Sequence, residues 1–332
     1  MKYIPNYIFL SKSGELIERA EKLNSLLADC SICPKDCRVN RIENEIAACY
    51  SGMLPVVSSY CAHFGEEPVL SGTLENKNFN GVGNIFFGNC NLRCVYCQNY
   101  EISQNHKLEK MHEVSVERLA EIMIELQNAK VNAIGLVSPT HFVPQIVSAL
   151  SLAAKAGLNL PLVYNTNSYD SVEVLKLLDG IIDIYLPDLK YSDDLQGYRY
   201  SKIKNYVYHS QSALKEMYRQ VGCEIILENG LMKKGLLIRH LILPNDLAGS
   251  YDTLKFISEL DNKIHLSVMS QYYPIHKALS IDLLSRNIRE REYEKVLMWM
   301  EELKLFNGYI QEHDSESFYR PDFSDRFEPF KI

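Results

Sequence analysis

The sequence has no long hydrophobic run and no excess of positive charge. No stretch of about 18 apolar residues occurs, so we expect no membrane span. The first six residues, MKYIPN, do not begin an apolar segment of signal-peptide length. A net charge of −7 argues against a general nucleic-acid binder. The 332 residues, 46% of them hydrophobic and 23% charged, fit one large α/β domain, alone or with a small appendage.

The cysteines are unevenly distributed. The chain has nine of them, and eight fall within residues 30–97. In a secreted protein so many cysteines would suggest disulfides, but these have spacings typical of metal sites. We therefore expect a reduced, cytoplasmic protein.

The hydrophobic pattern changes along the chain. Residues 12–29 predict a helix, and a cysteine-rich, turn-rich segment follows to about residue 80. Six apolar runs then predict strands at 84–87, 132–137, 160–164, 181–186, 236–243 and 264–269. Amphipathic stretches between and after them predict helices at about 115–128, 143–156, 170–179, 206–221, 250–260 and 289–304.

This alternation predicts the fold class. Continuous apolar strands separated by helices indicate a parallel sheet covered on both faces. Six such units fit an α/β fold of the partial (β/α)6 barrel type. We expect residues 1–80 to form a small Cys-rich N-terminal segment, 81–305 the barrel, and 306–332 an extended C-terminal tail.

Three cysteines follow the first predicted barrel strand in the run GNCNLRCVYCQN, residues 88–99. Their spacing, C-x3-C-x2-C, places Cys90, Cys94 and Cys97 on a tight polar loop. A four-iron cluster usually takes four thiolates, so three would leave one iron open to a small molecule. A zinc loop or three unrelated thiols are the alternatives, but zinc sites favour paired C-x2-C elements and four protein ligands. The spacing is typical of radical S-adenosylmethionine (SAM) enzymes.

Polar residues follow each of the other predicted strands. In parallel α/β folds the chemistry gathers at the carboxyl ends of the strands, so these residues are candidates for one shared pocket. Some of them only cap helices or face water. His240 is equally explained as a core histidine with satisfied hydrogen bonds.

The chain resembles radical SAM proteins related to pyruvate formate-lyase activating enzyme, specifically the PflX-like branch. The matching stretches, between Cys30 and about Arg291, are CSICPKDCRVNR, HFGEEPVLSG, IFFGNCNLRCVYCQNYEIS, SPTHFVPQI, LPLVYNTNSYDSVEVLKLLDGIIDIYLPDLKY, KEMYRQVG and GLLIRHLILP. This resemblance implies a partial radical SAM barrel with a [4Fe-4S] cluster on Cys90, Cys94 and Cys97. It further implies that SAM chelates the open iron and is reductively cleaved to a 5′-deoxyadenosyl radical.

The resemblance also implies roles for single residues. Tyr96 occupies the position whose backbone contacts the adenine, and Asn165 and Asn167 match a motif that contacts SAM. Four further matches in the SAM and substrate region are Asp188, Lys190, Arg239 and His276. One departure is clear: Ser138-Pro139-Thr140-His141 replaces the Gly-Gly-Glu element that holds the SAM amine in many relatives. Thr140 is then a candidate for that hydrogen bond.

A second metal site is predicted at Cys30-x2-Cys33-x3-Cys37-x11-Cys49. Four thiolates have the number and softness for structural zinc or a second iron–sulfur cluster, and the sequence does not choose between them. Cys223 is read as a small buried hydrophobe.

The expected activity is hydrogen abstraction driven by SAM cleavage. By analogy with the activating enzymes, the substrate is a glycine in a partner protein, a glycyl radical enzyme; a small molecule or peptide is the alternative. A non-catalytic iron–sulfur protein is the rival from another class, although an open iron argues against it. A reductant such as flavodoxin or ferredoxin is the implied electron donor.

Overall fold

The protein is described here as a computed structural model that covers residues 2–73, 79–311, 321–323, 325–326 and 329–330. Nine strands form its sheet: β1 (Val57–His63), β2 (Val82–Phe87), β3 (Ile134–Val137), β4 (Leu162–Thr166), β5 (Ile184–Pro187), β6 (Ile226–Glu228), β7 (Leu231–Leu241), β8 (His265–Met269) and β9 (Gly308–Ile310).

The sheet order is β1-β2-β3-β4-β5-β7-β8-β9, with β6 paired to β7 off this path. The pairs from β2 to β9 along this path are parallel, whereas β1 is antiparallel to β2. Every residue of β2, β3 and β5 is buried, as expected for parallel strands covered on both faces. The predicted α/β partial barrel is confirmed.

The helices cover the sheet in chain order. They are α1 (Tyr7–Ser13), α2 (Glu15–Ser25), α3 (Pro68–Ser71), α4 (Tyr100–Ser103), α5 (His106–Glu109), α6 (Val116–Asn128), α7 (Val143–Lys155), α8 (Val172–Leu177), α9 (Asp194–Ser201), α10 (Tyr206–Val221), α11 (Ser250–Asp261) and α12 (Glu290–Glu302). Short 3-10 turns occur at Lys110–His112, Thr140–Phe142, Pro244–Asp246 and His276–Ser280. In the part of the chain described, no helix is long and apolar enough to cross a bilayer.

The predicted elements are present, with shifted bounds. The single helix expected over 12–29 is two helices, α1 and α2, because Gly14 adopts a φ of 88° between them. β7 begins five residues before the predicted strand at 236–243, because the Asn229-Gly230 turn joins β6 to β7 in a hairpin. Both turn residues have positive φ, 54° and 77°, which asparagine and glycine accept readily.

The N-terminal segment packs against the barrel through buried polar contacts. Arg41 has no exposed surface, and its guanidinium donates to the carbonyl oxygens of Gly52 and His141. The hydroxyl of Tyr7 donates to the carbonyl of Leu160 at 2.9 Å. The Cys-rich segment is therefore fixed to the loop that follows β3.

The predicted tail over 306–332 lies partly outside the described residues. Within it, 308–310 form β9. Phe323 and Phe330 pack against Phe86 of β2, with ring centroids 5.6 and 5.5 Å away. Arg326 donates to Glu109 at 2.7 Å. These residues cover the β1–β2 side of the barrel.

Candidate active site

The cysteine loop begins where β2 ends. A Cβ on Gly88 would lie 2.5 Å from the Cγ1 of Val56, so any larger residue would force its neighbours to shift. Asn89 follows in the left-handed region, with a φ of 65°. These two residues turn the chain so that the cysteines follow at the carboxyl end of the strand.

The three cysteines of the loop line one cavity of about 210 Å³, which we call the inner chamber. The thiol of Cys94 accepts a hydrogen bond from Ser201 at 3.0 Å, and that of Cys97 lies 3.2 Å from the hydroxyl of Ser103. Six other predicted site residues line the same chamber: Tyr96, Asn165, Asn167, Asp188, Lys190 and Arg239.

The same two influences, burial and the ammonium of Lys190, act on the pKa of all three thiols. Burial raises the pKa of Cys90 and of Cys94 to about 11 and also raises the pKa of Cys97. The ammonium of Lys190 opposes this rise at all three thiols. Without metal the thiols are therefore protonated at neutral pH, and iron binding would release their protons.

Asp188 and Lys190 form an ion pair inside the chamber, with 2.7 Å between Oδ2 and Nζ. Burial would lower the pKa of Lys190, but Asp188 and the Cys94 thiol outweigh it and raise the pKa above its ordinary value. The side chains of Lys190 and Asp188 are only 18% and 23% exposed, so this is not a solvated surface pair.

Asn165, within β4, and Asn167, just after it, differ in position. Asn165 lines the chamber at the end of the strand. Asn167 donates to the side-chain oxygen of Asn91 at 2.8 Å, and its nitrogen lies 3.7 Å from the sulfur of Cys90. Asn91 in turn donates to the carbonyl of Tyr169. Asn91 therefore joins the cysteine loop to the β4 loop, a role that sequence reasoning missed.

Of the residues predicted to contact SAM or the substrate, Thr140 and His276 do not line the inner chamber. The hydroxyl of Thr140 donates to the buried carboxylate of Asp170 at 2.7 Å. His276 stacks on the ring of Tyr100, with centroids 4.7 Å apart. Tyr96, by contrast, is buried against the edges of neighbouring aromatic rings. The structure brings Tyr96 to the chamber and places Thr140 behind its wall.

A second cavity, the outer chamber, has a volume of about 340 Å³ and shares Asn165 and Arg239 with the inner one. Arg239 bonds to Glu67 through its Nε at 2.8 Å, and its Nη2 contacts Glu66. Sequence reasoning gave these glutamates no role. The adjacent pair Glu66-Glu67 before Pro68 was the available signal, but β1, which positions it, was not predicted.

The four N-terminal cysteines form a separate group. Cys30 and Cys49 are buried, while Cys33 and Cys37 are partly exposed. Burial, followed by the charge of Cys49 and the other two thiols, raises the pKa of Cys33. Across the described ranges, no three His, Cys, Asp or Glu side chains are already gathered around a metal position.

The comparisons with known proteins agree with this geometry. The sequence profile of the Radical SAM superfamily matches residues 84–220, from β2 through α10. The uncharacterized protein MJ0674 of Methanocaldococcus jannaschii is 33% identical over 301 residues, which is 86% of this chain and 78% of that protein. The chain belongs to the radical SAM superfamily. MJ0808 of the same organism is 25% identical over 316 residues, 91% of this chain and 87% of its own length.

Two solved structures are also similar to this radical SAM chain. One is TYW1 with a lysine-pyruvate adduct bound, with a TM-score of 0.39, 15% identity, and coverage of 76% of this chain and 84% of that one. The other is HydG, described as a maturase of the [FeFe]-hydrogenase, with a TM-score of 0.48, 14% identity, and coverage of 91% and 65%.

Membership of the radical SAM superfamily implies a [4Fe-4S] cluster, SAM and a reductant such as flavodoxin or ferredoxin. The donor set fits this cluster, because three soft thiolates line one chamber, and Ser201 and Ser103 contact two of the sulfurs. The chamber also offers a carboxylate, an ammonium and amide groups to a zwitterionic ligand. His240 takes no part in it: both ring nitrogens are hydrogen-bonded, to Leu189 and Ser250, as in a satisfied core histidine.

Proposed function

We propose that this radical SAM enzyme cleaves SAM at a [4Fe-4S] cluster held by Cys90, Cys94 and Cys97, and that the resulting radical abstracts a hydrogen atom from a substrate. One observation carries the proposal. The three thiols line the same chamber as the Asp188–Lys190 pair, and this chamber shares walls with a second, larger one.

When bound, the cluster and SAM would supply the redox chemistry, in which one electron from the reductant cleaves a carbon–sulfur bond of SAM to methionine and a radical that abstracts the substrate hydrogen. The side chains would bind and orient SAM. Asn165, Asn167 and Asp188 would accept hydrogen bonds from its ammonium, and Lys190 and Arg239 would donate to its carboxylate. These charged and polar partners offset the cost of removing the zwitterion from water.

The remaining predicted residues act at the margins of the chamber. The backbone of Tyr96 would contact the adenine. Thr140 positions the β4 loop through Asp170, which also accepts a hydrogen bond from Thr166 at 2.6 Å. His276 stacks on Tyr100, which follows the cysteine loop, and in the same 3-10 turn the amide of Ala278 donates to the carbonyl of Val95 at 3.0 Å.

The resemblance to the activating enzymes points to activation of a glycyl radical enzyme as one finer function, and hydrogen abstraction from a small molecule or peptide is the other. The Asp188–Lys190 pair supports activation of a glycyl radical enzyme, because it matches residues of the activating enzymes. The absence of the Gly-Gly-Glu element leaves open a different substrate, a small molecule or a peptide.

We infer a zinc ion or a second cluster at the N-terminal cysteines, because four free thiols occur in this segment and the charges of Cys49, Cys37 and Cys30 all reach Cys33, whose pKa is raised mainly by burial. None of the nine cysteines, all within the described ranges, forms a disulfide. Free thiols in these numbers favour the cytoplasm as the location.

The direct test is product analysis. The full chain is reconstituted anaerobically with iron and sulfide, reduced with dithionite and incubated with SAM. Formation of 5′-deoxyadenosine and methionine in equal amounts is the expected result. A reconstituted protein that contains about four irons and forms neither product would refute SAM cleavage and leave a non-catalytic iron–sulfur protein.

A further inference from the structure

The outer chamber adjoins the inner chamber and could hold a second molecule next to SAM. The two chambers share Asn99, Val137, Asn165, Arg239, Met269 and Gln271 among their lining residues. A group bound in the outer chamber would therefore lie next to whatever occupies the inner one.

The side chains that line the outer chamber carry an excess of negative charge. Glu66 and Glu67, each with only 8% of its side chain exposed, both pair with the single guanidinium of Arg239. Burial would raise the pKa of Glu66, but the charge and hydrogen bond of Arg239, together with a hydrogen bond from Asn84, outweigh it and hold the pKa below its ordinary value. Glu66 is therefore charged at neutral pH.

No cation among the described lining residues balances this charge. Besides Arg239, Lys190 is the other cation that lines the chambers, and it is paired with Asp188. Burial lowers the pKa of His63, so its ring is neutral at neutral pH. Among the side chains of the outer chamber, two buried carboxylates therefore face one guanidinium, and this excess of one negative charge is costly unless a cation lies against it.

Three buried polar atoms in the chamber wall have no hydrogen-bond partner within the described residues, and one of them is the Oε1 of Gln311, in a partly exposed residue. The other two are the Oγ of Ser267, in a residue 1% exposed, and the Nδ1 of His63, in a residue 9% exposed. Ser267 is paired in register with Arg239 on the neighbouring strand. A polar ligand in the chamber would satisfy both groups.

The chamber is small and partly covered by the chain itself. The ring of Phe330 lies 4.1 Å from that of His63, and Pro321 and Tyr309 complete this side of the lining. A volume of about 340 Å³ is at the lower end of the range for small-molecule sites, which is about 300–1,000 Å³. The space suits a small metabolite better than a loop of a folded protein.

We propose that the outer chamber binds the substrate, and that the substrate is a small molecule whose protonated nitrogen is held by Glu66 and Glu67. Arg239 keeps the two carboxylates together, and Ser267 and His63 hydrogen-bond to polar groups beside the nitrogen. The assignment rests on the proposed function, because a substrate site is meaningful only if the radical forms in the adjoining chamber.

The test uses two probes of equal length, n-pentylamine, which is charged at neutral pH, and the uncharged 1-pentanol. Their dissociation constants are measured by anaerobic calorimetry on the reconstituted full chain with SAM present. We expect the amine to bind at least about tenfold more tightly than the alcohol, as for one charge-assisted hydrogen bond. Glu67→Gln should remove most of this preference. Glu294→Gln, on the exposed face of α12, is the matched control and should leave it unchanged.

Equal affinity of the wild-type protein for amine and alcohol would overturn the assignment without any variant, even if Glu67→Gln fails to fold. A blocked, uncharged glycine tripeptide that binds more tightly than the amine would also overturn it, in favour of a peptide substrate. Formation of 5′-deoxyadenosine by the wild type without any probe reports separately on the proposed function. The two ideas can thus fail independently.

Discussion

The Nε2 of His141 lies 2.9 Å from the backbone carbonyl oxygen of Gly88, the first residue of the cysteine loop. The carbonyl of His141 in turn accepts a hydrogen bond from Arg41 at 2.8 Å. His141 therefore joins the N-terminal segment to the cysteine loop. It belongs to the Ser-Pro-Thr-His stretch that replaces the Gly-Gly-Glu element, so this stretch supports the site structurally.

This contact predicts a pH dependence of stability. Burial lowers the pKa of His141 to about 3, whereas an imidazole in the unfolded chain titrates near about 6.5. Between these values the unfolded chain binds a proton that the folded chain does not, so the free energy of unfolding falls as the pH falls. His141 contributes up to about 1.4 kcal/mol per pH unit in this window and nothing to the slope above it.

Chemical denaturation of the wild type and of His141→Gln across this window is the measurement. Glutamine can still donate to Gly88 but does not titrate. Burial also lowers the pKa of His63 and His240, so the variant should retain part of the slope. If the free energy of unfolding fell equally steeply with pH in the two proteins, His141 would not titrate as described.

The cysteine loop predicts a sharp difference between two thiol substitutions. Cys94→Ala removes a proposed iron ligand and should abolish 5′-deoxyadenosine formation and lower the iron content, with most of the fold retained. Cys223→Ala is the control, because Cys223 follows the end of α10 and does not line the chambers. Iron analysis, product analysis and circular dichroism check both variants. Undiminished 5′-deoxyadenosine formation by Cys94→Ala would remove Cys94 from the site.

Much of the fold could be predicted because its strands are short, apolar and continuous. Runs such as 84–87 and 181–186 are buried on both faces of a parallel sheet, and such strands carry little other than hydrophobic side chains. Because the chemistry of parallel α/β folds gathers at the carboxyl ends of the strands, Asn165, Asp188 and Arg239 were expected in one pocket, and all three line the inner chamber. The hairpin at Asn229-Gly230 was missed although the Asn-Gly pair is a strong turn signal.

The outer chamber could not be predicted in the same way. Glu67 and Arg239 are 172 residues apart, and their contact depends on β1 pairing antiparallel at the edge of the sheet. The contact of Thr140 with Asp170 could not be predicted for a related reason. Its hydroxyl faces Asp170, 30 residues later, and no local pattern indicates which side of a loop a hydroxyl will face.

The N-terminal cysteines predict a structural metal. Cys30 packs in a small buried cluster with Leu27 and Ile32, so loss of a metal there should loosen this cluster before it affects the chemistry. The double variant Cys30→Ala/Cys33→Ala should unfold at a lower temperature than the wild type and still form 5′-deoxyadenosine. Calorimetry and product analysis measure the two effects.

Metal analysis of anaerobically prepared wild type should find either zinc or about four irons beyond the first cluster. The single variant Cys61→Ala is the control, because Cys61 lies on β1, outside this group. Wild-type protein with neither metal would remove the second site from the account.

The last prediction concerns the Asp188–Lys190 pair in the inner chamber. Asp188→Asn keeps the shape of the side chain and removes the charge that we assign to the SAM ammonium. A charge-assisted hydrogen bond corresponds to about ten- to hundredfold in affinity, so SAM binding should weaken by about that factor while the iron content stays unchanged. Glu173→Gln is the matched control, since Glu173 also pairs with a lysine at 2.7 Å but is 79% exposed. Unchanged SAM affinity and cleavage in both Asp188→Asn and Asn167→Ala would show that SAM does not bind against these residues.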